Sequence, residues 1–513
     1  MKLKSLIKES KISANQQKFS GIKSHITETM GKLILLPSYK FTYRTPVICI
    51  IVILFISILY AKLSLFQKGY VTSDCAYYAN ALWNTGDEKI LFSEYVRDRF
   101  GGVSYLNDHF SPTLVLLAIV YSFLPSPKTL LVVQTLIPLI VCLILYASVA
   151  DEEEKGVPIF FWVLFWGYLL NPFHITATID SAYGFHHDCL IPLFATLVYF
   201  SLIKKRFYLF ACSLGLLAGL KEDIPFLLLL AATVLYIKLL REKSTLNLEA
   251  YNKYFLSSLF ISVAFIIIGL FVFPYLSRGA YGTAHSNIIF KLHSLDIGQF
   301  NGNWLKLLFF LSGLFAVEIW ILIVPLLLLF SQKSIGPGDW HSFLPLIIMC
   351  IAAIEGYKRS KFSANTKLFY LRQVAIVVTI GLLCIWSEQG IRLLGEAVKD
   401  AEFRPYLGNY ESLRELDGDI PKHAYLRTTA DLMVRYTNRS HLTWSVGKAE
   451  YVVINSNLMK RSLRRYRYDS DYKLIKRVQN SDKFIFVKSV DSFKLYRRNL
   501  RGHFLLDNDV QAP

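Results

Sequence analysis

Long runs of apolar residues, separated by short polar stretches, occupy most of the chain before residue 390. Many of these runs are about 15 to 25 residues long, which is the length of helix that crosses a bilayer. Since hydrocarbon offers the backbone no hydrogen-bond partner, each run is expected to form a helix. We predict about eleven membrane spans, at residues 46–65, 128–149, 157–171, 189–203, 207–220, 224–240, 254–275, 304–314, 316–331, 342–355 and 371–389.

Basic residues in the short loops indicate how the predicted spans are oriented. They cluster after even-numbered spans, at residues 204–206, 238–243 and 358–367. Because lysine and arginine are enriched in cytoplasmic loops, these loops and the basic segment 1–45 are predicted to be cytoplasmic. These loops fall on one side of the membrane only if the short apolar segment Phe110–Leu124 does not cross it. We predict that this segment lies at the membrane surface or re-enters the membrane.

This topology divides the chain into three regions. A cytoplasmic segment, 1–45, precedes the transmembrane domain, 46–389, whose first outer loop is 66–127. After residue 390 the chain becomes charged and polar, and residues 390–513 are predicted to form an extracytoplasmic domain. Short β-type runs occur there at 450–454, 483–488 and 493–496, the last two as a hairpin. The predicted fold is an all-α polytopic membrane protein with a small C-terminal α/β domain.

The composition agrees with a membrane protein. Of the 513 residues, 53% are hydrophobic and 15% are aromatic, and the mean hydropathy is +0.38. In a soluble protein the net charge of +18 would suggest a nucleic-acid partner. Here much of the excess lies in the N-terminal segment and in loops, where it orients the spans. No nucleic-acid partner is therefore predicted.

Missing motifs and the cysteines narrow the function further. The sequence contains no Walker A motif, no GxGxxG motif after a strand and no HExxH motif, which argues against a nucleotide-driven transporter. The seven cysteines include no CxxC pair, and most lie in apolar runs as small core residues. Cys75 and Cys189 are both expected near the outer face, so the sequence does not decide whether they form a disulfide.

The first predicted outer loop contains ionisable residues beside the membrane. Such residues usually line cavities, form ion pairs or take part in chemistry, because their charge is costly at membrane depth. Asp74 follows the first predicted span, and it could be a general base or the N-cap of the helix that follows. Asp108 and His109 could cap the next helix, or they could bind a divalent ion.

Two further polar groups lie next to predicted spans. His186 and Asp188 could contact a metal or a phosphate, or they could belong to a polar cluster at the membrane interface. Lys221 could bind a phosphate while Glu222 and Asp223 lie near a metal. Equally, these three charges could neutralise one another within the turn.

Several of these segments together resemble a bacterial membrane protein family called domain of unknown function 2079. The resemblance runs in the same order through Ser73–Asn84, Asp108–Pro112, Pro125–Leu130, Gly184–Asp188, Leu220–Asp223, His341–Pro345 and Ala449–Ile454. His187 and Asp188 stand where the family pattern has proline and glutamate. That family is grouped with the GT-C superfamily of membrane glycosyltransferases.

The resemblance implies a GT-C-like fold and an inverting glycosyltransferase at the outer face of the bacterial inner membrane. Members of the superfamily use polyprenyl-phosphate sugars and carry an essential acidic residue in the first outer loop, where this chain has Asp74. That residue would take a proton from an envelope acceptor, which could be a glycan, a lipid or a protein. The leaving phosphate would need positive charge. The candidates for it are Lys221, Arg97, Arg99 and a divalent ion held by Asp108 and His109.

Two other functions stay open. One is a transporter or lipid flippase, and the other is a non-catalytic membrane scaffold whose C-terminal domain binds a partner. Transporters often show repeated halves with broken helices, and the sequence shows no such repeat. Asp74 separates the three functions, since only the enzyme needs that carboxylate for its activity.

Overall fold

The computed structural model describes most of the chain. The described residues are 40–41, 44–71, 73–85, 90–94, 97–98, 104–107, 109–150, 157–179, 184–242, 245–272, 343–360, 366–459 and 469–499. The predicted spans 304–314 and 316–331 lie outside these residues, as do the candidate site residues Arg99 and Asp108 and nearly all of the segment 1–45.

Within the described residues, the apolar runs fold into helices, as the bilayer-length pattern predicts. These are α1 (Arg44–Gln67), α2 (Ser73–Trp83), α3 (Leu114–Phe123), α4 (Pro127–Ala150), α5 (Ile159–Leu169), α6 (Pro172–Ile179), α7 (Ile191–Ile203), α8 (Phe207–Ala218), α9 (Ile224–Glu242), α10 (Thr245–Ile267), α11 (Phe343–Ser360) and α12 (Thr366–Phe403). The all-α transmembrane architecture is therefore confirmed for this part of the chain.

Four of the described helical segments are long and apolar enough to cross a membrane. They are Cys49–Gln67, Pro127–Val149, the joined helices over Ile159–Ile179, and Gln373–Phe403. The helices α7 to α10 are apolar but have shorter apolar segments. Helix α3 has only 10 residues, which is too short to span a bilayer and agrees with the prediction for Phe110–Leu124.

Helix α12 continues past residue 390, where the sequence predicts the end of the membrane region. Its last turns carry ion pairs between successive turns, Arg392 with Glu396 at 3.9 Å and Arg404 with Asp400 at 2.5 Å. Such pairs support a helix outside hydrocarbon. The helix therefore runs from the transmembrane part directly into the C-terminal domain.

A short antiparallel ladder links the residues before α1 to the residues before α5. Strand β1 (Lys40–Phe41) pairs with β2 (Val157–Pro158). The start of α1 and the connection from α4 to α5 thus lie at the same end of the helices. This arrangement agrees with the predicted parity, in which the N-terminal segment and the loop after the second span share one side.

The C-terminal domain contains a four-stranded mixed sheet. Its strands are β3 (Leu426–Thr428), β4 (Tyr451–Asn455), β5 (Phe484–Val490) and β6 (Phe493–Arg498), in the order β3-β4-β6-β5. Strand β3 runs parallel to β4, and the other pairs are antiparallel. The predicted strand runs and their hairpin are confirmed. The helices of this domain are α13 (Arg414–Asp417), α14 (Ala430–Met433) and α15 (Asp469–Gln479).

A buried carboxylate joins the first loop to the C-terminal domain. The Asp98 side chain is 2% exposed, and it accepts hydrogen bonds from the backbone N–H groups of Trp444 and Ser445 at 3.0 and 3.2 Å. The Thr443 hydroxyl also donates to it, and Lys448 pairs with it at 2.5 Å. A carboxylate with this many donors holds the loop firmly against the domain.

A second connection starts from helix α2. The side-chain amide of Asn80 donates to the carbonyl oxygens of Thr437 and Arg439, both at 2.8 Å. Because Asn80 lies on the same helix as Asp74, the C-terminal domain also sets the position of the helix that carries the candidate base.

The cysteines take no part in cross-linking. All seven are free thiols, and Cys75 and Cys189 are both buried. Cys75 and Cys189 therefore do not form the disulfide that the sequence allowed.

Gly390 lets α12 approach the turn after α5 closely. A Cβ at this position would overlap the carbonyl oxygen of Leu170, whereas a Cβ at Gly381 or Gly395 of the same helix would meet nothing within 4 Å. Backbone atoms cannot move aside as a flexible side chain can, so the absence of a side chain at Gly390 permits this contact.

We expect Gly390→Ala to lower the midpoint of thermal unfolding in detergent by several degrees, because overpacking typically costs about 1–3 kcal/mol. The matched controls Gly381→Ala and Gly395→Ala should be neutral or stabilising, since alanine is the better helix former by about 1 kcal/mol. Equal midpoints for all three variants would contradict the close approach.

Candidate functional site

Four chain segments meet at the end of the helix bundle opposite the β1–β2 ladder. They are the start of α2, the stretch from the 3-10 turn Tyr105–Asn107 to Ser111, the stretch from Gly184 through the 3-10 turn His187–Leu190, and the turn 219–223 between α8 and α9. They contain most of the described candidate residues from the sequence.

Gly184 brings the third of these segments against α2. Its φ is +69°, and a Cβ there would lie 2.5 Å from Cγ1 of Val71 and 3.1 Å from Cβ of Cys75. Only glycine combines this backbone conformation with such a close approach. The residues that follow Gly184 are thereby placed beside the first turn of α2.

His187 connects all four segments through hydrogen bonds. Its Nδ1 lies 2.8 Å from the Tyr78 hydroxyl and 3.3 Å from the Tyr105 hydroxyl. Its Nε2 lies 3.4 Å from the Ser111 hydroxyl, which donates to the carbonyl oxygen of Leu220 at 2.7 Å. The ring is fully buried, so these contacts satisfy its polar atoms inside the protein.

An ion pair lies next to this network. Lys221 Nζ is 3.1 Å from Oδ2 of Asp188, and the two side chains are 7% and 1% exposed. Burial alone would lower the pKa of Lys221, but the carboxylates of Asp188, Asp223 and Glu222 outweigh it and raise that pKa above its ordinary value. Lys221 is therefore an ammonium ion in a buried, mostly anionic turn.

The first loop reaches the same turn through His109. Its Nδ1 is 3.2 Å from Oε1 of Glu222, with side-chain exposures of 25% and 8%. The sequence had paired His109 with Asp108 as a metal ligand, and Asp108 lies outside the described residues. The contact that the structure shows for His109 connects it to the Lys221 turn.

Among the described residues, one group has metal-ligand geometry: His186, His187 and Asp188, whose ligand atoms lie within 4.8 Å of one another. Two imidazoles and a carboxylate suit a divalent transition metal. Nε2 of His187 is 3.3 Å from Oδ1 of Asp188, and Nδ1 of His186 is 3.7 Å from the same oxygen. The donor set fits an ion, although Lys221 already neutralises Asp188.

Asp74 lies in the first turn of α2, one turn before Tyr78, and is partly buried. Burial raises the pKa of the neighbouring Cys75 thiol to about 12; the charge of Lys62 opposes this rise and the charge of Asp74 adds to it. Asp74 and Lys62 are thus both close to Cys75, which contacts the Gly184 segment.

Lys62 is a site residue that the sequence analysis missed. It lies in α1, inside the span predicted at 46–65, and is 3% exposed. A lysine within an apolar span was the available signal, because buried charge at membrane depth is costly. The sequence analysis also missed Tyr78, Tyr105 and Ser111. Nothing in the sequence pointed to them, because only the tertiary structure brings their hydroxyls to His187.

Arg97 is the described candidate residue that the structure does not bring to this site. Its side chain is 50% exposed and pairs with Glu94 at 3.5 Å. Glu94 also lies 3.8 Å from His441 of the C-terminal domain. The described contacts of Arg97 are thus at the loop–domain junction, whereas His109, His186, Asp188, Lys221, Glu222 and Asp223 lie together.

Comparison with known proteins supports a GT-C-like fold. The model of the family described as "Predicted membrane protein (DUF2079)" matches residues 62–481. The crystal structure of ArnT from Cupriavidus metallidurans bound to undecaprenyl phosphate is similar, with a TM-score of 0.53 and 10% identity over 90% of this chain and 99% of that chain. ArnT from Cupriavidus metallidurans in the apo state gives a TM-score of 0.46 and 11% identity, over 87% and 97%. None of the curated proteins matches this chain.

We expect Lys221→Met to destabilise the protein strongly, because a buried carboxylate left without its partner costs about 3–5 kcal/mol. Adding Asp188→Asn to that variant removes the isolated charge, so the double variant should unfold at a higher temperature than Lys221→Met alone. As a control, Lys488→Met removes an exposed pair with Asp419, whose side chains are 42% and 43% exposed, and should change little. If the two effects at Lys221 and Asp188 were simply additive, the ion pair would not be coupled in the folded protein.

Proposed function

This chain belongs to the DUF2079 family of predicted membrane proteins, matched over residues 62–481, and on that premise we propose that it is a membrane glycosyltransferase. The donor is a polyprenyl-phosphate sugar, and the acceptor is a glycan, lipid or protein of the cell envelope. ArnT, whose fold this chain resembles, was crystallised with undecaprenyl phosphate. That ligand belongs to the lipid class that such a donor would release.

One observation carries the proposal. A buried, charged group formed by Asp188, Lys221 and Glu222 lies at the ends of apolar helices and next to α2, whose first turn contains Asp74. Charges in such a place are costly and persist where they bind or react. An ammonium that the surrounding carboxylates keep protonated is suited to bind a phosphate at the membrane surface.

The proposed reaction is an inverting displacement at the anomeric carbon. The acceptor hydroxyl gives its proton to the Asp74 carboxylate, and its oxygen forms a bond to the anomeric carbon of the sugar. The bond from that carbon to the phosphate oxygen breaks, and the lipid phosphate leaves with the negative charge. Lys221 and Lys62 supply positive charge for the leaving phosphate. Lys221 does so when the phosphate replaces Asp188 as its partner.

A divalent ion can be added to this scheme. His186, His187 and Asp188 would hold it, and when bound it would supply further positive charge for the leaving phosphate. Its removal is a direct test. We expect chelation of the purified protein to lower transfer, and re-addition of Mn²⁺ or Zn²⁺ to restore it, whereas Mg²⁺, which prefers oxygen ligands, should restore it less. Transfer that is equally fast after exhaustive chelation would leave Lys221 and Lys62 as the cations that act on the phosphate.

The proposed location is the outer face of a bacterial inner membrane. The candidate site lies at the end of α1 and α4 opposite to β1 and β2. A cytoplasmic N-terminal segment, as the basic loops predict, puts the site outside the cell's cytoplasm. A donor at that face must be carried by the membrane, which agrees with a lipid-linked sugar.

Asp74→Asn should abolish transfer while the protein keeps its amount and its thermal stability, because the amide retains the shape of the side chain but cannot accept a proton. The control Asp419→Asn changes an exposed carboxylate and should transfer at the normal rate. The measurement is mass spectrometry of envelope glycans and lipid-linked sugars in a deletion strain complemented with each variant.

The same experiment separates the other functions. If the deletion strain and the wild type had identical glycan and lipid-linked sugar pools, the enzyme proposal would be abandoned. Normal complementation by Asp74→Asn would favour a scaffold. A transporter would depend instead on charges buried within the spans, so Lys62→Met would then fail where Asp74→Asn succeeds.

A further inference from the structure

A groove separate from the candidate site lies between the ends of α1 and α12. It has a volume of about 550 Å³ and is lined by Tyr60, Leu63, Ser64, Gln67, Lys68, Ala401, Glu402 and Tyr406. This volume is within the roughly 300–1,000 Å³ of small-molecule sites. The α1 residues that line it recur at helical spacing and so occupy one face of that helix.

The groove contains a buried cation. Lys68 is 6% exposed, and its Nζ donates to the carbonyl oxygen of Glu402 at 2.6 Å. It also lies 5.5 Å from the centre of the Tyr406 ring. A lysine ammonium has three N–H donors, so one carbonyl leaves capacity for a phosphate oxygen at the lining of the groove.

The opposite charge is present in the same groove. Glu402 lines it and is exposed, and the aromatic rings of Tyr60 and Tyr406 border it, with exposures of 51% and 62%. Carboxylates and aromatic faces both attract an ammonium group. A simple anion would meet Lys68 but would be repelled by Glu402, whereas a ligand with both charges would satisfy both residues.

The surface next to the groove is suited to an acyl chain. Ile53, Ile56 and Tyr60 lie on the same face of α1 as the groove, and their exposures are 62%, 57% and 51%. They continue from the groove toward the middle of the span Cys49–Gln67. Tyrosines mark the interfacial level of a membrane, so a headgroup at Lys68 places its lipid tail along this apolar face.

We propose that this groove binds the headgroup of a zwitterionic phospholipid with a primary amine, of the phosphatidylethanolamine class. The phosphate pairs with Lys68, and the ammonium pairs with Glu402 and the tyrosine rings. The bound lipid fills the space between α1 and α12 and supports the junction through which α12 enters the C-terminal domain. The site is independent of the sugar transfer proposed above.

The test is native mass spectrometry of the full chain, purified in detergent. The protein is mixed with equal amounts of phosphatidylethanolamine and phosphatidylglycerol. Wild-type protein should retain the first lipid about tenfold more than the second, the ratio that one charge-assisted hydrogen bond supplies. Lys68→Gln should reduce retention of both lipids, because each has a phosphate.

Glu402→Gln is the decisive variant, because its exposed side chain can be changed without disturbing the core. It should keep the binding of phosphatidylglycerol and bring the ratio of the two lipids close to one. Glu396→Gln and Lys399→Gln, which change exposed charges of α12 that do not line the groove, should behave as wild type.

Two outcomes would overturn the proposal. The first is equal retention of both lipids by the wild-type protein, and the second is an unchanged ratio in Glu402→Gln. A competition experiment with free glycerophosphoethanolamine, which has the headgroup but no acyl chains, distinguishes a headgroup site from general lipid contact. It should compete with phosphatidylethanolamine at high concentration, while glycerol phosphate should compete less well. Equal competition by the two would show that the amine is not recognised.

Discussion

The ion pair between Asp188 and Lys221 is the contact on which the rest of the candidate site depends. Each charge is buried, and each would be strongly destabilising alone. Together they join the segment after Gly184 to the turn between α8 and α9. His187 and His109 then attach the first loop to the same two places. Because each of these charges needs a partner inside the protein, the ion pair and the histidine contacts hold the four segments in one arrangement.

This arrangement concentrates charge at the place where the proposed reaction puts the phosphate. The carboxylates around Lys221 keep it protonated, and they also prevent it from being an isolated buried cation. In the proposed reaction a phosphate replaces Asp188 as the partner of Lys221, and the Asp188 carboxylate then relies on His187 and His186, whose ring nitrogens lie 3.3 and 3.7 Å from its Oδ1. In the reaction that we propose, this positive charge is present before the donor binds, as in enzymes that stabilise developing charge with preorganised groups.

The C-terminal domain contributes to the site indirectly. Asp98 and Asn80 connect it to the first loop and to α2, and α12 enters it without a break at residue 390. The candidate base is thus positioned from one side by the Gly184 segment and from the other by a domain far away in sequence.

Local patterns in the sequence determined most of the secondary structure. Runs such as 128–149 are apolar throughout, so only a helix can satisfy their backbone in hydrocarbon. The runs that became β4, β5 and β6 are equally local signals. The end of α12 was not predicted, because its last turns depend on ion pairs and on contacts with the C-terminal domain that hydropathy does not describe.

The amino-acid sequence by itself determined which side chains could do chemistry, since Asp74, His186, Asp188 and Lys221 stand out as charges beside apolar runs. Only the tertiary structure decided which of them meet. It brought His109 to Glu222 and left Arg97 at the junction with the C-terminal domain. The physical reason is that the contacts of His109 with Glu222 and of Glu94 with His441 join residues more than a hundred positions apart, and their geometry depends on how helices pack rather than on any local preference.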